Sequence, residues 1–386
     1  MDALDRHAEV VKLARLLGSQ PEALAFLESA RSGSLREFRR AASHSLFDDG
    51  REVFLRLAKL SRLLPMPWLA RFTAALVGPE LAARVASEME PQRAAQLSAV
   101  LETEFLAEVC LHLEAGRSRA VIQGISADRV RQVGLCLLER REFVCMACFV
   151  DILHEPVLRQ MIDAIESEAD LLRVGFFVED KAQLNMLISL FDDQRLARLI
   201  EAAHRERLWP EAIALMSHVS GQSSTRLGDI AAAQPEAVLT GLLQVAEREG
   251  LLPLLLGVVG RMSEPAQRRV AALPALRHRA LLEALVSAGI ATQRWEVLVP
   301  LLGWLPADLK QRAVAAALDQ QVCMAQVALL AAARADVSQP LLRILADLGD
   351  DLMARVASSG CAEDWLALSQ TETGHEVLAQ LGREPR

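Results

Sequence analysis

Apolar residues recur at three- and four-residue intervals along most of the chain, in short runs separated by Pro, Gly, Ser or acidic corners. That spacing predicts a succession of short amphipathic helices rather than strands. The runs also repeat. WLARFTAALVGPELAARVASEMEPQRAAQLSAVL from Trp68, FLAEVCLHLEAGRSRAVIQGISADRVRQVGLCLL from Phe105 and FVCMACFVDILHEPVLRQMIDAIESEADLLRVGFFV from Phe143 align with one another, their starts 37 and 38 residues apart. Each reads as an apolar helix, a polar break, a second helix, a capping corner and a third helix. Lys181 to Leu208 is less regular and holds one or two helices; a second series then starts at Trp209, Leu252 and Trp295 with a period of 43. EPAQRRVAAL at Glu264 and ADLKQRAVAAAL at Ala307 share its helix start. A shortened copy opens at Pro340, and Ala362 to Leu381 reads as a closing helix.

Helices this short do not hold themselves together in water, because isolated helices below roughly 12–15 residues are marginal. They must stack on neighbours, and a unit repeated at about 40 residues then grows into a superhelix with one concave and one convex surface. The expected fold is therefore all-α, an α-superhelix (solenoid) of about seven or eight imperfect helical repeats of roughly 37–46 residues. Residues 1–66, with loop signals SGS at Ser32 and DDG at Asp48, are expected to form an N-terminal helical cap. Residues 67–207 then hold the first repeat series and 208–386 the second with a C-terminal cap, in one continuous solenoid.

Composition points the same way. The 386 residues are 52% hydrophobic, dominated by Leu, Ala and Val, with no Tyr and 4% aromatics, a mixture that favours helix over sheet. Six cysteines are too few for a disulfide scaffold, and Cys136, Cys145 and Cys148 sit in apolar helical contexts, so a reducing, cytoplasmic setting is expected. The start, MDALDRHAEVVKLARLLGSQ, is an amphipathic helix broken by charges rather than an export signal. The longest uncharged stretches, Ala212–Thr225 and Gln320–Ala333, fall short of the ~18 apolar residues of a spanning helix, so no transmembrane segment is expected. Arg outnumbers Lys 38 to 4, the usage of a GC-rich bacterial coding sequence.

MEPQRAAQL at Met89, with its echo ISADRVRQV at Ile125, resembles the recurring helix-start unit of the cytosolic N-terminal superhelical domain of MgtE-type magnesium transporters, and more loosely HEAT-like repeats. The likeness runs from Trp68 to Val178. It implies a superhelical fold and, as a further possibility of function, a stand-alone cation-sensing regulatory domain. The family's acidic ligand positions find no residue-by-residue match, and the transporter's paired regulatory domains and membrane helices have no counterpart in this sequence.

Candidate chemistry is sparse. Cys145-x-x-Cys148 lacks the second pair that structural zinc requires, which favours core thiols. Glu201 with His204 and Glu372 with His375 have the spacing used in di-iron bundles, but four repeats separate the pairs, and solenoid units touch only their neighbours. Asp48–Asp49, Asp192–Asp193 and Asp350–Asp351 offer oxygen ligands to a hard cation such as magnesium, though acidic pairs equally serve to start helices. Gly-x-Ser-x-Gly, Gly-Lys-Ser/Thr, His-Glu-x-x-His and Gly-x-Gly-x-x-Gly are all missing, so neither catalysis nor a cofactor or bound metal is expected.

A net charge of −8 argues against a nucleic-acid partner. The charge is uneven: Asp151 to Asp193 carries ten acidic residues against three basic ones, while Arg261 to Arg279 carries five arginines against Glu264. These features predict a non-enzymatic scaffold or adaptor that binds a protein partner through its concave or charged surfaces. Asp163, Glu166, Glu168 and Asp170 would attract a basic partner and Arg268, Arg269, Arg277 and Arg279 an acidic one. The alternative is a superhelix that encloses an apolar small molecule, motivated by the apolar segments CMACFV, RVGFFV and LLPLLLGVVG.

Overall fold

The computed structural model describes residues 2–360 and 362–382, and every regular element among them is helical. The three stretches that align in sequence each hold three helices. They are Met66–Phe72 (continued by a π turn, Thr73–Val77), Pro79–Glu88 and Pro91–Val100; Thr103–Leu111, Arg119–Gln123 and Ala127–Glu139; and Phe143–Val150, Glu155–Ala164 and Glu168–Phe177. The later series has the same composition: Trp209–His218, Gly221–Ala232 and Glu236–Arg248; Leu252–Val259, Glu264–Ala271 and Arg279–Thr292; Trp295–Gly303, Ala307–Asp319 and Met324–Ala332. Lys181–Leu190 and Asp193–Arg205 fill the irregular stretch.

Local chemistry explains these boundaries. Proline stands in the first turn at Pro79, Pro91, Pro156, Pro210, Pro253 and Pro265, where its missing N–H has no intrahelical partner to lose. Ser167, Asp180 and Thr371 cap their helices by accepting from the amides of Asp170, Ala182 and Gly374, satisfying donors that a helix start otherwise leaves open. Helix ends use a left-handed residue: Arg141, Arg207, Gly250, Gln293 and Gln321 all have positive φ. The next amide then returns to a carbonyl five residues earlier, Glu142 to Leu137, Leu208 to Ala203, Leu251 to Ala246, Arg294 to Gly289 and Val322 to Ala317, which is the Schellman closure. Arg207, Gly250 and Gln293 are spaced by 43 residues, the period read from the sequence.

The chain forms two compact units, Met1–Asp192 and Asp193–Arg386. In the first, Arg51–Leu60 packs on Pro79–Glu88, that helix on Thr103–Leu111, that on Ala127–Glu139, and that in turn on Glu155–Ala164. Ala58, Leu69, Met89, Ala94, Leu97, Leu101 and Val121 form one buried cluster along this series. Two arginines tie neighbouring layers together in the same manner: Arg93 donates to the carbonyls of Ser61 and Leu64, and Arg129, 36 residues on, to those of Ser98 and Leu101. Both arginines belong to the MEPQR and SADR phrases that the eye picks out in the sequence, and both serve the last carbonyls of a helix one layer back, which lack intrahelical donors.

The second unit is built in the same way. Arg269 donates to the carbonyls of Ala233 and Gln234, and the guanidinium groups of Arg268 and Arg343 stand 4.0 and 4.6 Å from the Trp304 ring centre. The copy expected to open at Pro340 begins its helix earlier, at Ala335, with Pro340 inside it. Its buried ring packs against the bare Cα of Gly303, where an added Cβ would lie 2.9 Å from the proline Cβ. The apolar runs CMACFV and LLPLLLGVVG supply buried residues, among them Cys145, Met146, Leu255, Leu256 and Val258. No single helix among the described residues is long and apolar enough to cross a membrane.

Candidate functional site

The N-terminal segment divides in two. Asp2–Leu16 and Ser32–Asp48 pack on each other, while Arg51–Leu60 joins the layered helices after Gly50, whose φ is 70°. The first pair combines buried apolar residues, Val10, Leu13 and Ala14 on its first helix, with a cluster of ion pairs. Glu9, only 1% exposed, accepts from Arg36 at 3.2 Å and Arg39 at 2.9 Å, and lies 3.5 Å from Lys12. Glu179, at the corner after Glu168–Phe177, accepts from Lys12, Arg39 and Arg40. Arg15 pairs with Glu142, and Arg117 reaches Asp48 and His44 at the far end of the second helix. Beneath the cluster, Asp151 accepts the backbone amides of Glu179 and Asp180.

The electrostatics follow from the packing. Burial pushes the Glu179 carboxyl up, but Lys12 and Arg39 outweigh it and bring it down to about 2. At Asp151 burial wins over those two amide hydrogen bonds, and its carboxyl is raised. Burial likewise raises the thiols of Cys148 and Cys145 and takes Cys110 to about 12. All three are protonated at neutral pH and poor nucleophiles. The Cys145-x-x-Cys148 pair is thus one buried thiol and one half-buried thiol beside an ion cluster.

Because the N-terminal pair is pinned to Glu142, Glu179 and Arg117, it does not cover the outer face of the first layer. Fourteen of the sixteen large hydrophobic side chains exposed among the described residues fall between Leu17 and Val100, and the densest group lies on that face. Ala58 and Leu69 turn inward to the core. On the opposite side of the same helices, Val53, Leu57 and Leu60 recur at four- and three-residue spacing, and Trp68, Phe72 and Leu76 at four. Leu63, at the corner between them, is 79% exposed; Leu76 is 74% and Trp68 70%. Such a concentration is unusual on the surface of a monomeric soluble protein.

This face is also basic. Residues 53–76 contain Arg56, Lys59, Arg62 and Arg71 and no acidic residue. Arg56 and Arg62 have distant partners, Glu52 at 3.7 Å and Glu90 at 3.6 Å; Lys59 and Arg71 form no ion pair among the described residues and are exposed.

The residues singled out by charge are placed differently. Asp163 lies in the last turn of one helix, Glu166 occupies the corner, and Glu168 and Asp170 sit in the first turn of the next, where carboxylates complement the helix dipole; Asp170 also pairs with Arg173. Arg268 pairs with Glu264 and Arg279 with Glu283, each one turn away, Arg269 holds carbonyls, and Arg277 is exposed at the end of a 3-10 turn. Asp350–Asp351 and Asp193 start helices, but Asp48 ends one and pairs with Arg117. Glu201 and His204 are exposed; the side chain of Glu372 lies outside those described. A scan against protein-family models and a search of the curated proteins both return no match.

Proposed function

We propose that this chain is a non-enzymatic, cytoplasmic helical-repeat scaffold that docks a macromolecular partner through the uncovered outer face of its first helix layer, residues 53–76. The observation that carries the reading is the ridge formed by Leu57, Leu60, Leu63, Trp68, Phe72 and Leu76, exposed together on helices whose other sides are packed. Burying such side chains is worth about 1.5–3 kcal/mol each, so leaving them in water is a standing cost that a partner would remove. The helix triplets at similar spacing, and the matched clamps of Arg93 and Arg129, support a superhelical stack and with it the kinship to the MgtE-type N-terminal domain and HEAT-like repeats. The acidic corner at Asp163–Asp170 in the first unit and the arginines 268–279 in the second are each a further charged surface of its own unit.

Site-specific photocrosslinking in the producing cell tests the reading. A crosslinker at Leu57 or Leu76 is expected to yield discrete adducts, and one at exposed Ala237 in the second unit none. Equal adduct patterns at all three positions would refute it.

A further inference from the structure

We infer that the partner of the 53–76 face is the surface of an anionic lipid bilayer; this rests on that face being the docking surface. Three observations select a membrane over other occupants. First, the apolar side chains stand on a ridge rather than in a groove: Leu63, Trp68 and Leu76 are each at least 70% exposed. A partner helix is normally received by a slot with apolar walls, whereas a bilayer accepts a protruding ridge of any outline, taking its apolar side chains into the boundary between headgroups and acyl chains.

Second, the composition is that of an interfacial element. Leucines and Phe72 supply the inserted apolar surface, and Trp68 is the residue type that settles at the membrane–water interface. Arg56, Lys59, Arg62 and Arg71 surround them without a single acidic residue between Val53 and Leu76, in a protein whose net charge is −8. Long basic side chains bury their stems and keep the charged end among anionic headgroups.

Third, the same charges oppose self-association. A two-fold dimer through this face would bring Lys59 and Arg71 of one copy, which no carboxylate among the described residues pairs, toward the same two of the other, while Arg56 and Arg62 are already partnered by Glu52 and Glu90. The lipid surface reverses the sign of that interaction.

Trp68 provides a built-in reporter, because Trp209, Trp295 and Trp365 are buried and Trp304 is half-buried beneath two arginines. The full chain is mixed with phosphatidylcholine vesicles with or without phosphatidylglycerol, and followed by co-sedimentation, by tryptophan emission and by quenching from brominated lipid. Binding to the anionic vesicles alone is expected, with a blue shift and quenching that disappear in Trp68→Leu while sedimentation persists. Each surface cation contributes roughly fivefold to such binding, so K59E/R71E is expected to weaken it by at least about thirtyfold. Leu63→Ser with Leu76→Ser, checked by circular dichroism for retained helix, is expected to abolish it.

Protein that stays in the supernatant at all lipid concentrations overturns the inference, as does binding that leaves Trp68 unquenched. So does a concentration-dependent dimer lost in the Leu63→Ser/Leu76→Ser variant. If vesicles are ignored while crosslinks at Leu57 and Leu76 capture an acidic protein, the membrane inference fails and the docking face stands. If neither vesicles nor crosslinks respond, both fail.

Discussion

Replacing Glu179 by Gln keeps the shape of the corner and removes the charge that Lys12, Arg39 and Arg40 converge on. Two routes give the cost. Breaking a buried ion pair from one side typically costs about 3–5 kcal/mol, and the lower end applies because the Glu179 side chain is 18% exposed. Independently, a carboxyl lowered from the usual 4.5 to about 2 reports about 3 kcal/mol of preferential stabilisation of its charged form. The loss is local. Ser32–Asp48 buries only Leu35, whereas Asp2–Leu16 buries Ala8, Val10, Leu13 and Ala14, so Ser32–Asp48 is expected to loosen first, before the layered helices unfold. Cys148 lies beside Lys12, Arg39 and Glu179 and senses that opening. Its alkylation at neutral pH, resolved by peptide mass, is expected to accelerate on the order of a hundredfold in Glu179→Gln, with faster amide exchange across Asp2–Leu16 and Ser32–Asp48. The sign with pH follows from the depressed carboxyl. Its stabilisation is complete above the unfolded value near 4.5 and drains away as pH falls toward about 2. Asp151, raised by burial, acts oppositely: its ionisation weakens the fold as pH rises through its folded value. An unchanged Cys148 rate in Glu179→Gln, or opening that is already complete at pH 5 in the natural protein, would refute charge as the holding force.

The left-handed helix ends offer a reciprocal test: Gln293→Gly is expected to stabilise the second unit by about 1 kcal/mol and Gly250→Gln to destabilise it by as much, since a side chain at positive φ carries that cost; thermal melts showing the same sign for both would exclude the explanation. Arg93→Ala and Arg129→Ala each leave two carbonyls without their donor and are expected to cost about 1–3 kcal/mol apiece in denaturant titrations. A large loss for one and none for the other would show that the two clamps are not the same device. Trp304→Leu removes the ring shared by Arg268 and Arg343 and is expected to lower stability by about 1–2 kcal/mol, with the Arg268→Lys variant intermediate.

Much of the helical architecture is readable in the sequence because short helices declare themselves twice, once by apolar spacing and once by their corners. Pro91, Pro156 and Pro265 open helices, and Gly250 closes one, where a reader of sequence places them. Arg141, Arg207, Gln293 and Gln321 do the same work as Gly250 without its signature, because the Schellman closure tolerates a side chain at modest cost. Pro340 misleads for the opposite reason. A proline inside a helix is penalised, but the bare Gly303 opposite leaves room for the ring, and that pairing is visible only in three dimensions.

The exposed 53–76 face escapes a reading based on net or block charge, because its four cations are diluted in an acidic chain and its leucines look like core. The distinguishing signal was nonetheless linear. A helix buried on one side shows apolar residues on one stripe, yet Arg51–Leu60 and Met66–Phe72 carry them all round: Ala58 and Leu69 face the core, and Val53, Leu57, Trp68 and Phe72 face away from it. Two-sided apolarity demands a second covering layer. The candidate nearest in sequence is the N-terminal pair, and its own charges decide the matter. Lys12, Arg15, Arg39 and Arg40 would be repelled by Arg56, Lys59, Arg62 and Arg71, and find Glu142 and Glu179 instead. The same basic character that sends the first two helices elsewhere therefore leaves the ridge open and fixes the sign of whatever covers it.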